Sequence, residues 1–297
     1  EVLVSIMEHH SDLLPWQMVC RQTGAELKFI ECAPDGSVDL RQIESLITER
    51  TKIVAMTQVS NVLGRKYPVQ EVAAMAHKNG AVMVVDGAQS TPHMPVNVQE
   101  LGADFFAFSG HKIFGPMGIG GLYGREELLE EMPPFLSGGE MIESVTRTGA
   151  VYAELPHKFE AGTVNAAGAA GLAAAIRYVQ SVGFDTIRQR EHDLTANALA
   201  RVLAVPHVHV LGTDKPEDHN GIITFTVDGV HPHDISEIMA SDGVNIRAGH
   251  HCAQPLLAHL GLNATARASF AFYNTDEDVD RFLESLSTLR ERMGYGK

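Results

Sequence analysis

The alternation of strand-like and helix-like segments in the first half of the chain is the feature that most restricts its fold. Short apolar runs predict strands at 2–7, 26–31, 52–58, 81–85, 105–108 and 119–124. Segments with apolar residues at helical spacing separate the earlier strands, at 12–23, 39–48 and 69–79. Strands that alternate with helices favour a mainly parallel sheet with helices on both faces. The sequence therefore predicts an α/β fold built on a doubly wound sheet.

The pattern changes in the second half of the chain. Residues 133–165 are rich in Gly and Pro and are predicted to form loops, and two helices follow at 166–182 and 185–204. Beyond them, predicted strands alternate with predicted helices, the strands at 207–211, 221–227, 244–247 and 267–272 and the helices at 233–241, 254–260 and 275–293. We predict a large domain over 1–180 and a smaller C-terminal α+β domain over 181–297.

The charge and the cysteine content restrict the partners and the compartment. The chain carries 23 Lys+Arg against 37 Asp+Glu, a net charge of -14, which argues against nucleic acid and anionic membranes. No apolar run is long enough to span a bilayer, and no secretory signal is visible. The chain opens on Glu1 and a strand-like segment, which suggests that its natural start is missing. Three cysteines, an odd number, predict no disulfide framework, so a cytoplasmic location is expected.

Polar side chains cluster just after the predicted strands. They are His9, Asn61, Asp86, Gln89, Ser109, His111 and Lys112. Open α/β sheets bind ligands at the carboxyl ends of their strands, so these groups are expected to meet at one edge. Lys112 follows a strongly apolar run, and a partly desolvated lysine amine can lose its proton and attack a carbonyl. Ser109 and His111 are placed to donate hydrogen bonds to a phosphate beside it.

Asp86 and Lys112 together indicate pyridoxal phosphate chemistry. A buried carboxylate needs a partner, and the protonated nitrogen of a pyridine ring is a suitable one. His9 is placed to stack on such a ring and to exchange protons, and Gln89 to bond its phenolic oxygen. Other interpretations stay open, because Asp86 before Gly87 also suits a simple turn and His9 also suits solvent or a metal.

Cys252 is a second candidate reactive group. It lies in the segment RAGHHCAQP at 247–255, beside His250 and His251. Neighbouring cationic or hydrogen-bonding groups lower a thiol pKa and favour the nucleophilic thiolate. A structural cysteine is an alternative, and so is a metal site, although no CxxC partner is present. Arg247 and Arg267 are candidate clamps for a substrate carboxylate, with structural salt bridges as the alternative.

Seven segments occur together in an order that resembles one enzyme family. They are MEHH at 7–10, VSNVLG at 59–64, VDGAQ at 85–89, FSGHKIFGP at 108–116, FEAGT at 159–163, RAGHHCAQP at 247–255 and RASFAFYNT at 267–275. The chain thereby resembles cysteine desulfurases of the SUF type, among the fold-type-I pyridoxal phosphate enzymes related to class V aminotransferases. The resemblance runs through nearly the whole chain, and it is specific because all seven segments match.

The resemblance implies a role for each residue at the cofactor. Lys112 would hold the aldehyde as a Schiff base, Asp86 would contact the pyridine nitrogen, and Gln89 would contact the phenolic oxygen. His9 would stack on the ring. The phosphate would be held by Ser109, by His111 and, from the neighbouring subunit of a homodimer, by Thr163.

The resemblance also implies the reaction. Asn61 and Arg267 would receive the carboxylate of L-cysteine, and Arg247 is the further candidate clamp. Cys252 would attack the substrate sulfur, which leaves L-alanine and a persulfide on Cys252. A sulfur-acceptor protein of the SUF system would take that sulfur for iron–sulfur cluster assembly, and no resident metal is expected.

Two departures from the family pattern stand out. A segment that normally precedes this part, with a Gly/Thr phosphate-binding turn, is absent before Glu1. Val164 stands where proline is usual, and Ser11-Asp12 where Ala-Asn or Ser-Asn is usual. The alternatives are a selenocysteine lyase, an aminotransferase or another fold-type-I enzyme, a metal-binding protein and an inactive interaction module. The metal-binding alternative would use His9, His10, His250, His251 and Cys252.

Overall fold

The first half of the computed structural model, which describes residues 1–295, is a six-stranded sheet with helices around it. Its strands are β1 (Val2–Ser5), β2 (Leu27–Ile30), β3 (Ile53–Thr57), β4 (Val82–Asp86), β5 (Phe105–Ser109) and β6 (Gly120–Gly124). The order is β2-β1-β3-β4-β5-β6, and only β6 runs antiparallel to its neighbour. The mainly parallel α/β sheet predicted from the sequence is confirmed. Because β1 to β5 are parallel, their carboxyl ends meet at one edge.

The helices of the first half connect and cover these strands. They are α1 (His10–Thr23), α2 (Leu40–Leu46), α3 (Val69–Lys78), the short α4 (Val98–Leu101) and α5 (Glu126–Glu131). α1 begins two residues earlier than the apolar spacing predicts, because the His9 side chain caps it by accepting from the Ser11 N–H. It ends at Gly24, whose φ of 75° is a left-handed conformation that glycine adopts without strain.

The middle of the chain differs from its prediction in one respect. Residues 133–165, predicted to be loops, contain a hairpin of β7 (Ile142–Val145) and β8 (Ala150–Tyr152). Most of its side chains are exposed, so no apolar alternation marks it in the sequence. Two predicted helices follow, α6 (Ala166–Val182) and α7 (Phe184–Val202), and Gly183 breaks them apart.

The last third forms a four-stranded antiparallel sheet covered by helices. Its strands are β9 (Val208–Val210), β10 (Ile222–Val227), β11 (Arg247–Gly249) and β12 (Thr265–Ser269), in the order β11-β12-β10-β9. The helices are α8 (Pro232–Ser241), α9 (Gln254–His259) and α10 (Asp276–Arg292). The strands predicted at 244–247 and 267–272 are both displaced by two or three residues, as is common at element boundaries.

Each sheet has its own apolar core, and one segment ties the two together. Leu256 and Leu257 of α9 are buried in the core of the six-stranded sheet, although α9 follows β11 of the other sheet. α9 therefore anchors the segment 250–253 against the edge of the first sheet. The proposed domain division near residue 180 stays a prediction. None of the helices described combines the length and the apolar character that crossing a membrane requires.

Candidate active site

The carboxyl ends of the parallel strands surround an open cavity of about 410 Å³. Its lining residues come from the segments that follow β1, β4 and β5 and from the strand ends themselves. They are His9, Ser11, Asp12, Val84, Val85, Asp86, Ala88, Ala107, Phe108, Ser109, His111 and Lys112. We call the part of this edge that carries His9, Asp86 and Lys112 the cofactor edge. The parallel topology brings these three residues together although more than one hundred positions separate the first from the last.

Lys112 lies in a single 3-10 turn, Gly110–Ile113, directly after β5. The turn needs a glycine, because a Cβ on Gly110 would lie 2.8 Å from the Ile119 carbonyl oxygen. Burial lowers the pKa of the Lys112 amine, while Asp86 opposes that shift and Arg267 adds to it. The amine is therefore more readily deprotonated, and more nucleophilic at neutral pH, than an exposed lysine.

Asp86 ends β4 and lines the cavity. Its Oδ1 accepts from the Ala88 N–H at 2.8 Å, which fixes the carboxylate at the start of a turn. Gly87 allows that turn to lie against Phe106, since a Cβ there would fall 1.8 Å from the aromatic ring. Gln89 lies in the same turn, half-buried, and is not one of the cavity-lining residues.

The His9 imidazole has a defined hydrogen-bonding state. Its Nδ1 accepts from the Ser11 N–H at 3.1 Å, which leaves Nε2 to carry the proton of the neutral ring. Burial lowers the His9 pKa, and the Lys112 amine lowers it further, while Asp86 acts in the opposite direction. The ring is therefore mostly neutral at pH 7, a state in which it can exchange a proton with a bound molecule.

Two hydrogen-bonding side chains stand together near Lys112. Ser109 Oγ and His111 Nδ1 are 2.9 Å apart, and both line the cavity. Such a pair suits phosphate oxygens, which accept several hydrogen bonds. Thr163 is exposed in the segment after β8 and does not line this cavity. Its contact with a neighbouring subunit stays a prediction.

Cys252 lies in the segment 250–253, which we call the cysteine loop. His251 and Cys252 have φ values of 53° and 55°, so two consecutive non-glycine residues are left-handed. Hydrogen bonds hold this conformation: His10 N–H donates to the Cys252 carbonyl at 2.7 Å, and Cys252 N–H donates to His250 Nδ1 at 3.1 Å. Gln254 N–H donates to His10 Nε2 at 3.1 Å.

The structure brings three of the five candidate metal ligands together. One ligand atom each from His10, His250 and Cys252 lies within 4.8 Å of the others. His251 points elsewhere, with its Nε2 2.8 Å from Thr265 Oγ1. In His10 and His250 the unprotonated nitrogen already accepts a backbone N–H. Metal binding would require both rings to give up these bonds, so the geometry favours a role in holding the loop.

The two arginines predicted to bind the substrate carboxylate lie on neighbouring strands, Arg247 on β11 and Arg267 on β12. Arg247 and Arg267 are directly paired, and no carboxylate in residues 1–295 forms an ion pair with either. Arg267 donates to the Asn61 carbonyl at 2.6 Å, but its buried Nε has no partner among the described residues. A partly buried guanidinium without an acidic partner suits a carboxylate ligand. The Asn61 side chain donates to the His251 carbonyl at 2.7 Å and so also supports the cysteine loop.

The sequence analysis gave no role to Glu8 or Asp12, although it noted Asp12 as part of a departure from the family pattern. Glu8 is fully buried in the short segment between β1 and α1, and Asp12 lines the cavity from the first turn of α1. The available signal was two acidic residues four positions apart, beside an apolar strand that leaves them little access to water.

The side chains of the cofactor edge fit pyridoxal phosphate. Lys112 supplies an amine for the aldehyde, Asp86 a carboxylate for the ring nitrogen, and His9 an imidazole for the ring. Val84 and Ala107 contribute apolar walls of the same cavity. When bound, this cofactor supplies an electron sink for carbon-centred chemistry of amino acids.

Sequence comparison identifies the family of the chain. Residues 1–282 match the family model described as aminotransferase class-V. A probable cysteine desulfurase of Halalkalibacterium halodurans is 49% identical over 295 residues, which cover 99% of this chain and 72% of that protein. A probable cysteine desulfurase of Streptomyces coelicolor is 46% identical over 294 residues, or 99% of this chain and 70% of the relative.

Solved structures agree with these relatives. An apo cysteine desulfurase from Thermococcus onnurineus superposes with a TM-score of 0.94 at 43% identity, covering 98% of this chain and 72% of that one. The cysteine desulfurase CsdA from Escherichia coli superposes with a TM-score of 0.93 at 40% identity, with the same coverage of 98% and 72%. The chain therefore belongs to the class V aminotransferase family of pyridoxal phosphate enzymes, and to the cysteine desulfurases within it.

Proposed function

We propose that this cysteine desulfurase converts L-cysteine to L-alanine with Cys252 as the residue that receives the sulfur. The observation that carries the assignment is the 2.7 Å hydrogen bond from the His10 N–H to the Cys252 carbonyl. It holds the cysteine loop next to His9, which lines the same cavity as Lys112. A lysine that handles the amino acid and a thiol that receives its sulfur are the two groups that the reaction needs.

Each further residue has a role in this proposal. Arg267 binds the substrate carboxylate, with Asn61 beside it and Arg247 as the outer charge. Lys112 is the base that moves the α-proton, and His9 holds or returns a proton at its Nε2. Asp86 keeps the pyridine nitrogen protonated.

The remaining contacts position the cofactor. Ser109 and His111 hold the phosphate, and Gln89 bonds the phenolic oxygen. Thr163 of a second subunit completes the phosphate site. Gln89 and Thr163 lie outside the cavity wall in the single chain, so these two assignments depend on the resemblance of their segments alone.

The sulfur transfer is written with balanced atoms and electrons. The Cys252 thiolate attacks the sulfur of the substrate, a sulfur–sulfur bond forms, and the carbon–sulfur bond of the substrate breaks. The electron pair of that bond stays with carbon, which is then protonated to give alanine. The persulfide sulfur passes to a thiol of an acceptor protein, for which the half-exposed position of Cys252 leaves access.

We further propose a homodimer, a SUF-system protein as the acceptor, and a cytoplasmic location. Exposed apolar side chains on the β7–β8 hairpin support an interface, because Val145 is 64% exposed and Val151 is 54% exposed. The free thiols suit a reducing compartment and the net charge of -14 suits neither nucleic acid nor an anionic membrane as a partner.

The test is peptide mass mapping after incubation of the holoenzyme with L-cysteine. We expect a persulfide on Cys252, and we expect Cys252→Ala to bind the cofactor yet lose persulfide and alanine formation. Cys32→Ala is the matched control, since Cys32 is buried and its pKa is raised to about 11 by burial. Undiminished alanine production by Cys252→Ala would refute the assignment.

A further inference from the structure

Glu8 and Asp12 are two carboxyl groups that the proposed reaction does not use. Glu8 is fully buried, and its Oε1 accepts from the Ser5 hydroxyl and from the Thr57 N–H, the latter at 2.7 Å. Asp12 Oδ1 accepts from Trp16 Nε1 at 3.2 Å. The second oxygen of each group, Glu8 Oε2 and Asp12 Oδ2, is buried and has no donor among residues 1–295.

A proton on one of the two unpartnered oxygens would allow a hydrogen bond between them. Burial of two adjacent carboxylates, both charged, is very unfavourable. The Glu8 and Asp12 side chains lie within hydrogen-bonding reach, so a proton on Glu8 Oε2 would be donated to Asp12. One shared proton therefore satisfies both oxygens and leaves a single negative charge on the pair.

The surroundings decide which group keeps the proton. Asp12 is in the first turn of α1, where the free N–H groups of a helix favour a negative charge. Burial raises the pKa of Glu8 well above its usual value, and the neighbouring Asp12 raises it further. The pKa of Asp12 is raised to about 6, first by burial and then by Asp86, while its bond with Glu8 opposes the shift. Glu8 is accordingly the acid, and Asp12 the anion near neutral pH.

Other titratable groups face the pair from neighbouring elements. Asp86 at the end of β4 acts on Asp12, and the buried Tyr67 hydroxyl lies near Glu8. His9 and Lys112, two groups that can carry a positive charge, line the same cavity as Asp12. Asp12 thus adds its charge to the side of the cavity that already carries Asp86.

We propose that Glu8 and Asp12 share one proton and that Asp12 is a second anionic group of the cofactor edge, which together with Asp86 stabilises the protonated pyridine nitrogen of the bound cofactor. This inference rests on the proposed function for the part that concerns the cofactor. Asp12 acts through its charge on the ring and is a positioning residue. Glu8 acts through Asp12, because it donates a hydrogen bond that holds the Asp12 side chain in place.

The first test measures the affinity of the cofactor-free full chain for pyridoxal phosphate between about pH 5 and 8, by fluorescence titration. Asp12→Asn keeps the shape of the side chain and removes its charge. We expect wild type to bind more tightly than Asp12→Asn, on the order of three- to tenfold above pH 7, with the two affinities converging below pH 5. Comparison at each pH cancels the titration of the cofactor itself.

Glu8→Gln is the matched control, because its amide retains a donor for Asp12 and an acceptor for Ser5 and Thr57. We expect it to follow wild type. Equal affinities of wild type and Asp12→Asn for pyridoxal phosphate at every pH would overturn the proposal. Failure of wild type to bind pyridoxal phosphate at all would instead refute the proposed function, and the next measurement would still test the shared proton.

The second test needs no cofactor. A carboxyl group with a raised folded-state pKa supports the fold below its unfolded value of 3.8, and that support is lost as pH rises through about 6. The thermal unfolding midpoint of the cofactor-free wild type should therefore fall relative to Asp12→Asn between about pH 4 and pH 7. Parallel midpoint curves for the two proteins would show that Asp12 does not become charged over this interval, and they would overturn the proposal.

Discussion

The two halves of the active site are built in different ways. The cofactor edge is formed by segments that directly follow parallel strands of one sheet, so Asp86 and Lys112 are placed by backbone hydrogen bonding of β4 and β5. The cysteine loop belongs to the other sheet and has two left-handed residues in succession, His251 and Cys252. Hydrogen bonds from the first half of the chain hold it, including those from His10 and Asn61.

This difference indicates which half is easier to perturb. A position in a parallel sheet is maintained by many ladder bonds, so the loss of one side chain changes chemistry more than geometry. A left-handed non-glycine residue costs about 1–2 kcal/mol, and the cysteine loop must offset that cost twice with a few hydrogen bonds. We therefore expect variants at the cofactor edge to lose activity with little change in structure. Variants that remove a contact of the cysteine loop should lose stability and the position of Cys252.

The largest effect is expected for Lys112→Ala at the cofactor edge. The variant should show no borohydride-reducible link to pyridoxal phosphate and should lose alanine formation by on the order of 10²–10⁴-fold, because it lacks the group that moves the α-proton. Peptide mapping after reduction and an alanine assay would measure both. Lys78→Ala is the control, since Lys78 is exposed and pairs only loosely with Glu44 at 3.8 Å. A borohydride-reducible link to pyridoxal phosphate in Lys112→Ala would contradict the assignment of Lys112 as the residue that binds the aldehyde.

The next effect concerns pH and the cysteine loop. Burial lowers the pKa of His251 from 6.5 to about 4, with Arg267 and Arg247 adding to the shift. A lowered folded-state pKa supports the fold above pH 6.5, and that support is lost as pH falls toward 4. The free energy of unfolding should therefore decrease by about 3 kcal/mol over this interval.

Denaturant titration at several pH values would measure this change, with His251→Gln as the variant that lacks the titrating ring. His192→Gln, at an exposed position of α7, is the control, and the pH dependence of its free energy of unfolding should match that of wild type. The opposite sign is expected for Asp12, whose support is lost as pH rises. An equal pH dependence of the free energy of unfolding in wild type and His251→Gln would show that His251 does not make the cysteine loop sensitive to acid.

The smallest effect is expected for Asn61→Ala. It leaves the buried His251 carbonyl without its 2.7 Å hydrogen bond, which should reduce the free energy of unfolding by about 1–3 kcal/mol. Persulfide formation on Cys252 should fall while the affinity for pyridoxal phosphate stays unchanged. Asn245→Ala, at an exposed position, is the control. Loss of cofactor affinity in Asn61→Ala would mean that the two halves are not held independently.

Much of the fold was predictable because the signals were local. Buried strands such as β3 and β4 and the Ala-rich α6 stand within a few residues of their predicted positions, since apolar periodicity and glycine stops depend on short stretches of sequence. The β7–β8 hairpin was not predictable, because exposed strands of three or four residues leave no period-two pattern.

The sequence alone determined the class of fold, the residues that follow each strand and the family of the chain, because these depend on residue type, spacing and motif order. Only the tertiary structure decided which of those residues share a cavity, and it placed Gln89 and Thr163 outside its wall. It also decided that His10 accepts the N–H of Gln254, directly after the cysteine loop, and that one oxygen each of Glu8 and Asp12 is buried without a donor among the described residues. Hydrogen-bond partners and burial depend on segments distant in sequence, and no local pattern carries that information.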